Sequence, residues 1–571
     1  MINAPSGPLA LSHWQPDQLT PAHGGSIGDV LRAAVSRAPE RAALISGDRW
    51  WTYRDLLTQA TDGAHALLAS FVPGDVVAVW ADNGPQWVVL EFAAGLAGLI
   101  LVPVHPSAGA EEVAYALAHS GARGIFIGTD PAGSSRAGVL RSVAGRLPSL
   151  RFVISLGEWD ALCAVGSVDA PSTLPEVDPA SLAQVLYTAG TTGRPKAALL
   201  THRSLTGNAG IAARTLGGRD GDTVVNSLPL SHVTGCGLMT LGIAQLAGTH
   251  VLPPGPAGGT SAASLLALAG RHRGELLCVD PPTLGSLLAD SSPRTRGLGP
   301  RGFRSLRAII SGGAPLPPDL AHEAETAFGV PVVTGLFQTE SGCVVTATSP
   351  EDPPASRLGS AGRPLPGTEM KITSLRTGDV LPCGEIGEIR VRGGQVMNGY
   401  LNDPGLTAQV LDGAGWLRTG DLGSMDSRGY CRVAGRVREL IVRGGQAVYP
   451  REVEVVLSGH PAVAEVAVVG VPDRYWGETV AAIVRLGDSL EEPALALTEY
   501  CGTRLASHLI PVRWLFADRL PRTAHGEIRK IALSTRFTDA AGPGRPPEPE
   551  AAPLQIPRQE PRSRTLEDID F

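Results

Sequence analysis

Short apolar runs separated by helix-length stretches set the pattern from about Ser26 to Leu200. Val76-Val-Ala-Val-Trp80, Leu99-Ile-Leu-Val102, Gly124-Ile-Phe-Ile127 and Arg151-Phe-Val-Ile154 are such runs. Continuous apolar strands belong to sheets covered on both faces, so the alternation predicts βα units and a largely parallel sheet. The pattern resumes with Thr223-Val-Val-Asn226, Thr249-His-Val-Leu252, Ala308-Ile-Ile310 and Val330-Pro-Val-Val333.

Further on the character changes. Gly384-Glu-Ile-Gly-Glu-Ile-Arg-Val-Arg392 and Gly415-Trp-Leu-Arg-Thr-Gly-Asp421 read as short, turn-rich strands. After Gly435-Arg436 a second unit begins: Arg451–Leu457 is amphipathic and helical, while Val463–Gly470 and Val480–Arg485 read as strands. The expected fold class is α/β. Residues 1–435 form a large N-terminal domain of parallel-type sheets with flanking helices and a small β-rich subdomain. Residues 436–539 form a small, mobile α+β domain, and residues 540–571, rich in Pro, Glu, Ala and Arg, are expected to be a disordered tail.

One segment needs separate treatment. Trp87 to Val104 is apolar apart from Glu91 and approaches the length of a membrane span. It contains Gly95 and Gly98 and turns β-rich before Pro103. A buried helix running into a buried parallel strand fits better, and no membrane span is expected.

Composition narrows the function classes. With 571 residues, 43% apolar and 18% charged, the chain is expected to be globular with two or more domains. A net charge of −7 offers no basic surface for nucleic acid. The seven cysteines show neither CxxC pairing nor zinc spacing, and no N-terminal signal pattern appears. Reduced thiols in a cytoplasmic protein are the expectation. Lysine occurs only at Lys196, Lys371 and Lys530, so a lysine kept inside a glycine loop invites a chemical role.

That loop is Leu186-Tyr-Thr-Ala-Gly-Thr-Thr-Gly-Arg-Pro-Lys-Ala-Ala-Leu-Leu-Thr-His202. It holds the hydroxyls of Thr188, Thr191 and Thr192, the glycines Gly190 and Gly193, and Lys196. Glycines let backbone N–H groups close on an oxyanion, hydroxyls add donors, and lysine supplies a point charge for phosphate. The Walker A spacing cannot be laid on it. Read locally, it joins a strand to a helix.

Six further segments follow in order: Leu228-Pro-Leu-Ser-His-Val-Thr-Gly235, Ser311-Gly-Gly-Ala-Pro-Leu316, Gln338-Thr-Glu340, Trp416–Asp421, Gly435-Arg436 and Leu520-Pro-Arg-Thr-Ala-His-Gly526. With the loop, this ordered set resembles the adenylate-forming superfamily of acyl-CoA synthetases, aryl-CoA ligases, peptide-synthetase adenylation domains and beetle luciferase. The resemblance runs from about Ser26 to Leu533. It implies two steps: a carboxylate attacks the α-phosphorus of ATP to give acyl-AMP and pyrophosphate, then a thiol displaces AMP after the C-terminal domain swings about a hinge.

The resemblance also implies roles. Glu340, with Thr191, would hold Mg²⁺ on the triphosphate; Thr339 would bond the α-phosphate. Asp421 would accept the ribose hydroxyls with Arg436 near the same sugar. Gly312, Gly313 and Ala314 would lie beside adenine, with Leu336 and Gln338 in the nucleotide site. His232, Gly235, Phe337 and Cys343 would line the acid pocket, with His232 standing towards the thiol tunnel. Arg438 would be the hinge, and Gly444-Gly445 would suit a pantetheine tunnel. An isolated Asp or Glu would be read as a solvated surface charge, and only the ordered set overturns that.

Two departures stand out. The family pattern PRTxxGKIxR becomes Pro521-Arg-Thr-Ala-His-Gly-Glu-Ile-Arg-Lys530, so Glu527 occupies the place of a lysine that bridges substrate and α-phosphate. Losing one charge-assisted contact of that kind costs roughly 2–4 kcal/mol. Glu527 and Lys530, three residues on, are the candidates for whatever replaces it. The family's GYGxTE becomes Gly335-Leu-Phe-Gln-Thr-Glu340. Phe337 either stacks on adenine in place of the aromatic lost at Leu336, or shortens the acid pocket. The expected function is ATP-dependent activation of a small carboxylic acid and its transfer to CoA or a carrier protein, in specialised metabolism. Activation of nitrite towards an arylamine, and a nucleotide-binding homologue with impaired catalysis, are the alternatives.

Overall fold

The computed structural model describes residues 7–16, 25–130, 135–169, 173–188, 195–255, 260–289, 304–487, 489–522, 528–530, 532–534 and 537. Ala189–Arg194, Thr523–Glu527 and the tail from Thr538 on therefore lie outside the described residues.

Two parallel-type sheets form the centre of the large domain. The first has six strands in the order Phe152–Ser155, Gly124–Ile127, Val76–Trp80, Ile100–Val104, Leu182–Thr188 and Lys196–Thr201, parallel except for the last. The second has seven, in the order Val332–Val333, Ala308–Ser311, Leu276–Val279, Thr223–Asn226, Thr249–Leu252, Ala42–Ser46 and Arg49–Thr52, parallel except at Arg49–Thr52. The apolar runs read from sequence fall on these strands; Val330–Val333 shrinks to two residues.

Helices are set by short local signals. Ser26 with Asp29 and Thr52 with Asp55 close reciprocal capping boxes at the starts of Ile27–Arg37 and Tyr53–Leu68. Thr201 caps His202–Thr215 directly at the end of its strand. The segment Trp87–Val104 is the helix Pro85–Ala97, ended by left-handed Gly98, followed by the strand Ile100–Val104. Among the described residues no helix is long and apolar enough to cross a membrane.

The β-rich part is a five-stranded antiparallel sheet: His13–Trp14, Glu369–Thr373, Gly387–Arg392, Leu417–Met425 and Cys431–Arg436. A small sheet of Gly335–Gln338, Cys343–Ala347 and Arg363–Pro364 links it to the parallel sheets. The C-terminal domain has its own sheet, ordered Gln446–Val448, Ile441–Arg443, Gly477–Leu486 and Val463–Asp473, with Arg513–Phe516 added parallel to Gly477–Leu486. The helices Pro450–Ser458 and Pro493–Gly502 complete it, and Val453, Leu457, Val468, Val484 and Leu497 pack in its core. All seven cysteines are free thiols.

Candidate active site

The phosphate-type loop does not join a strand to a helix. Lys196–Thr201 is itself a strand, antiparallel to Leu182–Thr188, so residues 189–194 cross between two strands and the helix begins only at His202. The reason is local: Ala197-Ala-Leu-Leu-Thr is apolar and fully paired on one side, and Thr201 is the first residue able to cap a helix. Thr188 and Lys196 are register partners at the loop end of this hairpin. Gly190, Thr191, Thr192 and Gly193 lie outside the described residues.

Glu340 arrives at the same place from Gly335–Gln338 through the short turn Thr339–Ser341. The turn is forced to end by Gly342 in a left-handed conformation at φ 72°. A Cβ there would approach the carbonyl oxygens of Gln395 and Ser204 to 2.7 and 3.0 Å. Glu340 Oε1 accepts from the Tyr400 hydroxyl at 2.8 Å and from Thr188 Oγ1 at 3.4 Å. The Tyr400 ring in turn faces the Lys196 ammonium, 5.3 Å from the ring centre. Burial, with the Glu340 carboxylate beside it, pushes the Tyr400 phenol upward, so it stays a donor at neutral pH.

Asp421 and Arg436 are cross-strand register partners, with Arg436 Nε 3.6 Å from Asp421 Oδ1. Burial pushes the Asp421 carboxyl from 3.8 up to about 6; Arg436 pulls it down and Glu340 pushes it further up. Gln338 donates from Nε2 to the Thr419 carbonyl at 2.9 Å, two residues before Asp421, while its Oε1 is buried without a partner among the described residues.

Gly312 follows the strand Ala308–Ser311, and a Cβ on it would come within 2.5 Å of the Phe337 ring, so that ring lies against the Gly312 backbone. Gly313 has φ 84° and, like Ala314, is exposed. Leu336 is buried in the main core, Phe337 packs half-buried against the same core, and a bulge separates the two.

His232 precedes a π-helix, Thr234–Gly242, a form of helix frequent at functional sites. Its carbonyl accepts from the Gly235 and Cys236 N–H groups at 2.8 and 2.9 Å, and its ring stands edge-on to His105 at 6.1 Å. Gly235 packs so closely on the Pro229 carbonyl that no side chain fits. Cys343 is fully buried, adopts φ 137°, and has its thiol pushed up to about 12 by burial.

The remaining candidates are in the C-terminal domain. Arg438 sits in the turn Val437–Glu439. Lys530 is held at 2.9 Å by Glu439 and at 2.8 Å by Glu454; burial works to lower its ammonium, but the two carboxylates outweigh it and hold it up. Glu527 lies outside the described residues.

A phosphate-loop hairpin, an acid at its mouth and a buried aspartate paired across strands with an arginine match known proteins over nearly the whole chain. The model of the AMP-binding enzyme family matches residues 31–401, and that of the AMP-binding enzyme C-terminal domain matches residues 452–527. This chain belongs to the AMP-binding enzyme family.

Among its relatives, the feruloyl-CoA synthase of Amycolatopsis sp is 36% identical over 514 residues, covering 89% of this chain and 98% of that one. The sulfoacetate–CoA ligase of Cupriavidus necator is 33% identical over 513 residues, covering 89% and 97%. The o-succinylbenzoate CoA synthetase of Bacillus subtilis, solved with its acyl-adenylate intermediate, aligns with a TM-score of 0.75 at 30% identity, covering 88% and 97%. This AMP-binding enzyme is accordingly an AMP-forming acid–thiol ligase, with the large and small domains of that fold.

Sequence reasoning missed Tyr400, which lies 60 residues from Glu340 in the chain, and Asn83. Asn83 Oδ1 accepts from the Leu230 N–H at 2.8 Å and its Nδ2 donates to the Leu228 carbonyl at 2.9 Å, fixing the segment that carries His232. Tyr115, whose hydroxyl donates to the Pro195 carbonyl at 3.1 Å, steadies the base of the loop.

Proposed function

We propose that this ligase activates a small carboxylic acid with ATP and passes the acyl group to coenzyme A in the cytoplasm. The observation that supports a small acid is that Phe337, a ring where the family pattern has glycine, packs against the main apolar core as well as the Gly312 backbone and so takes up room on the apolar side of the site. In this reading Lys196 and the loop hydroxyls neutralise the phosphates, Thr339 donates to an α-phosphate oxygen, and Asp421 accepts the ribose hydroxyls beside Arg436. The acid's carboxylate oxygen attacks the α-phosphorus, the bond to the β-phosphate bridging oxygen breaks, and pyrophosphate leaves. A thiolate then attacks the acyl carbon and AMP leaves.

The role of the residues in the first step is positioning and charge neutralisation. Mg²⁺ fits the site: both contacts of the Glu340 side chain fall on Oε1, which leaves Oε2 for a hard cation. Glu340 would hold it with Thr191, and it would neutralise charge on the phosphates. We place the domain boundary at Gly435–Arg436, with Arg438 as the hinge.

Pyrophosphate release from ATP·Mg²⁺ tests this, for wild type and Glu527→Lys, with short aliphatic acids, bulky aryl acids, and nitrite with an arylamine. Release driven by short acids, and accelerated by Glu527→Lys, is the expected result. Release driven only by nitrite, or abolished by Glu527→Lys, refutes it.

A further inference from the structure

Lys196 and Glu340 carry opposite charges and both meet one buried aromatic residue, the ammonium over its ring face and the carboxylate at its hydroxyl. Left facing each other without nucleotide, a half-buried ammonium and carboxylate attract, and a pair between them would occupy the phosphate site. We propose that Tyr400 is a positioning residue that keeps Lys196 and Glu340 apart, ready for phosphate and cation; this rests on the nucleotide-site reading above.

The backbone explains why Tyr400 is placed to do so. Leu199 N–H donates to the Gly399 carbonyl at 2.9 Å and Leu401 N–H to the Ala197 carbonyl at 2.8 Å, so Gly399–Leu401 lies alongside the strand Lys196–Thr201. Tyr400 is paired antiparallel with Ala198. Side chains alternate along a strand, so Lys196 shares the face of Ala198 and is the diagonal neighbour of Tyr400. The Tyr400 N–H is held by Thr407 Oγ1 at 2.9 Å. From that fixed backbone the ring presents its π face to the ammonium at 5.3 Å and its hydroxyl to Glu340 Oε1 at 2.8 Å. A neutral aromatic with a polar tip satisfies both charges without joining them.

The experiment is equilibrium binding of ATP to the full chain, once in EDTA and once in Mg²⁺, for Tyr400→Phe, Tyr400→Leu and Tyr400→Leu with Glu340→Gln. Tyr400→Phe keeps the ring, so its affinity in EDTA should match wild type within a factor of about two. Its Mg²⁺-dependent gain should fall about ten- to a hundredfold, the scale of one hydrogen bond to a charged group. Tyr400→Leu should bind about tenfold more weakly in EDTA. Glu340→Gln should then improve EDTA binding several-fold more in Tyr400→Leu than in wild type, a coupling that a purely structural role would not produce. Equal losses for Phe and Leu in EDTA, or no such coupling, overturn the proposal. If Tyr400→Leu does not fold, Tyr400→Phe decides alone: an undiminished Mg²⁺ gain overturns the proposal. Lys196→Ala separates the two layers. If it leaves ATP affinity unchanged, the nucleotide site is wrongly assigned and the proposal falls with it; if it weakens ATP while Tyr400→Leu does not, only the role of Tyr400 falls.

Discussion

Replacing Asp421 by asparagine should stabilise the fold while weakening the nucleotide site. Burial holds the carboxyl at about 6 against an ordinary 3.8. A difference of roughly two units at 1.36 kcal/mol each corresponds to about 3 kcal/mol of unfavourable ionisation in the native state. Asparagine removes that cost but also the 3.6 Å approach of Arg436, so a net gain of about 1–2 kcal/mol is expected, a rise of about one to two degrees in Tm for a chain this long. The sign follows from proton counting. Between about pH 4 and pH 6 the native protein holds a proton that the unfolded chain has released, so this group's contribution falls as pH rises and the penalty is complete above about 6.

The nucleotide responds in the opposite sense. A carboxylate accepting two ribose hydroxyls makes two charge-assisted bonds worth about 1.5–3 kcal/mol each, and an amide can reproduce one of them. ATP affinity should drop roughly thirty- to several-hundredfold at pH 8. The assay is thermal unfolding of the ligand-free protein at pH 4.5, 6 and 8, with ATP titrations at pH 6 and 8. Titration of the phosphates is common to both proteins and cancels in the comparison. The Tm advantage of Asp421→Asn should grow with pH, and the affinity deficit should shrink as wild type protonates. A variant less stable at pH 8, or a pH-independent Tm difference, refutes the burial argument. An affinity change below threefold refutes the ribose assignment.

Two further outcomes are expected. Glu91 is buried and burial raises its carboxyl well above 4.5, while its Oε1 accepts from Gln184 Nε2 at 2.7 Å. Glu91→Gln should keep that bond, and its Tm advantage over wild type should increase from pH 5 to pH 9 because the native proton becomes harder to retain; a flat difference contradicts this. Gly342→Ala should cost about 2 kcal/mol or more, from the left-handed backbone and the collision with two carbonyls, and should weaken ATP·Mg²⁺ binding by shifting Glu340; an unchanged Tm would show that the turn relaxes.

The parallel sheets are legible in the sequence because their strands are short, buried and continuous in apolar character: Thr223–Asn226 and Thr249–Leu252 have the bounds the pattern predicts. Leu276–Val279 has the same apolar character but is absent from that reading, and only its pairing between Ala308–Ser311 and Thr223–Asn226 marks it as a strand. The phosphate loop is recognisable from its residue types, yet its connection is not, since Lys196–Thr201 looks like the start of the following helix until its pairing partner is known. Glu91 reads as a lone charge in an apolar stretch. Its meaning depends on Gln184, on a strand 93 residues away, which lets a protonated carboxyl sit in the core. Tyr400 and Asn83 belong to the same class: each acts through a contact that only the closed fold supplies.

Lys530 illustrates where sequence distance misleads about chemistry. Its three-residue offset from Glu527 makes it a candidate for the missing positive charge. In the fold it is committed to Glu439 and Glu454, and its side chain is 19% exposed. Withdrawing it would leave two partly buried carboxylates unpaired. For such pairs the loss is about 2–4 kcal/mol, discounting the roughly 3–5 kcal/mol of fully buried ones for solvent access. A charge-assisted contact at the α-phosphate would return roughly the same amount. The exchange yields no net gain, so Lys530 serves better as the tie between the turn Val437–Glu439 and the helix Pro450–Ser458 than as a substitute for the lysine that Glu527 replaces.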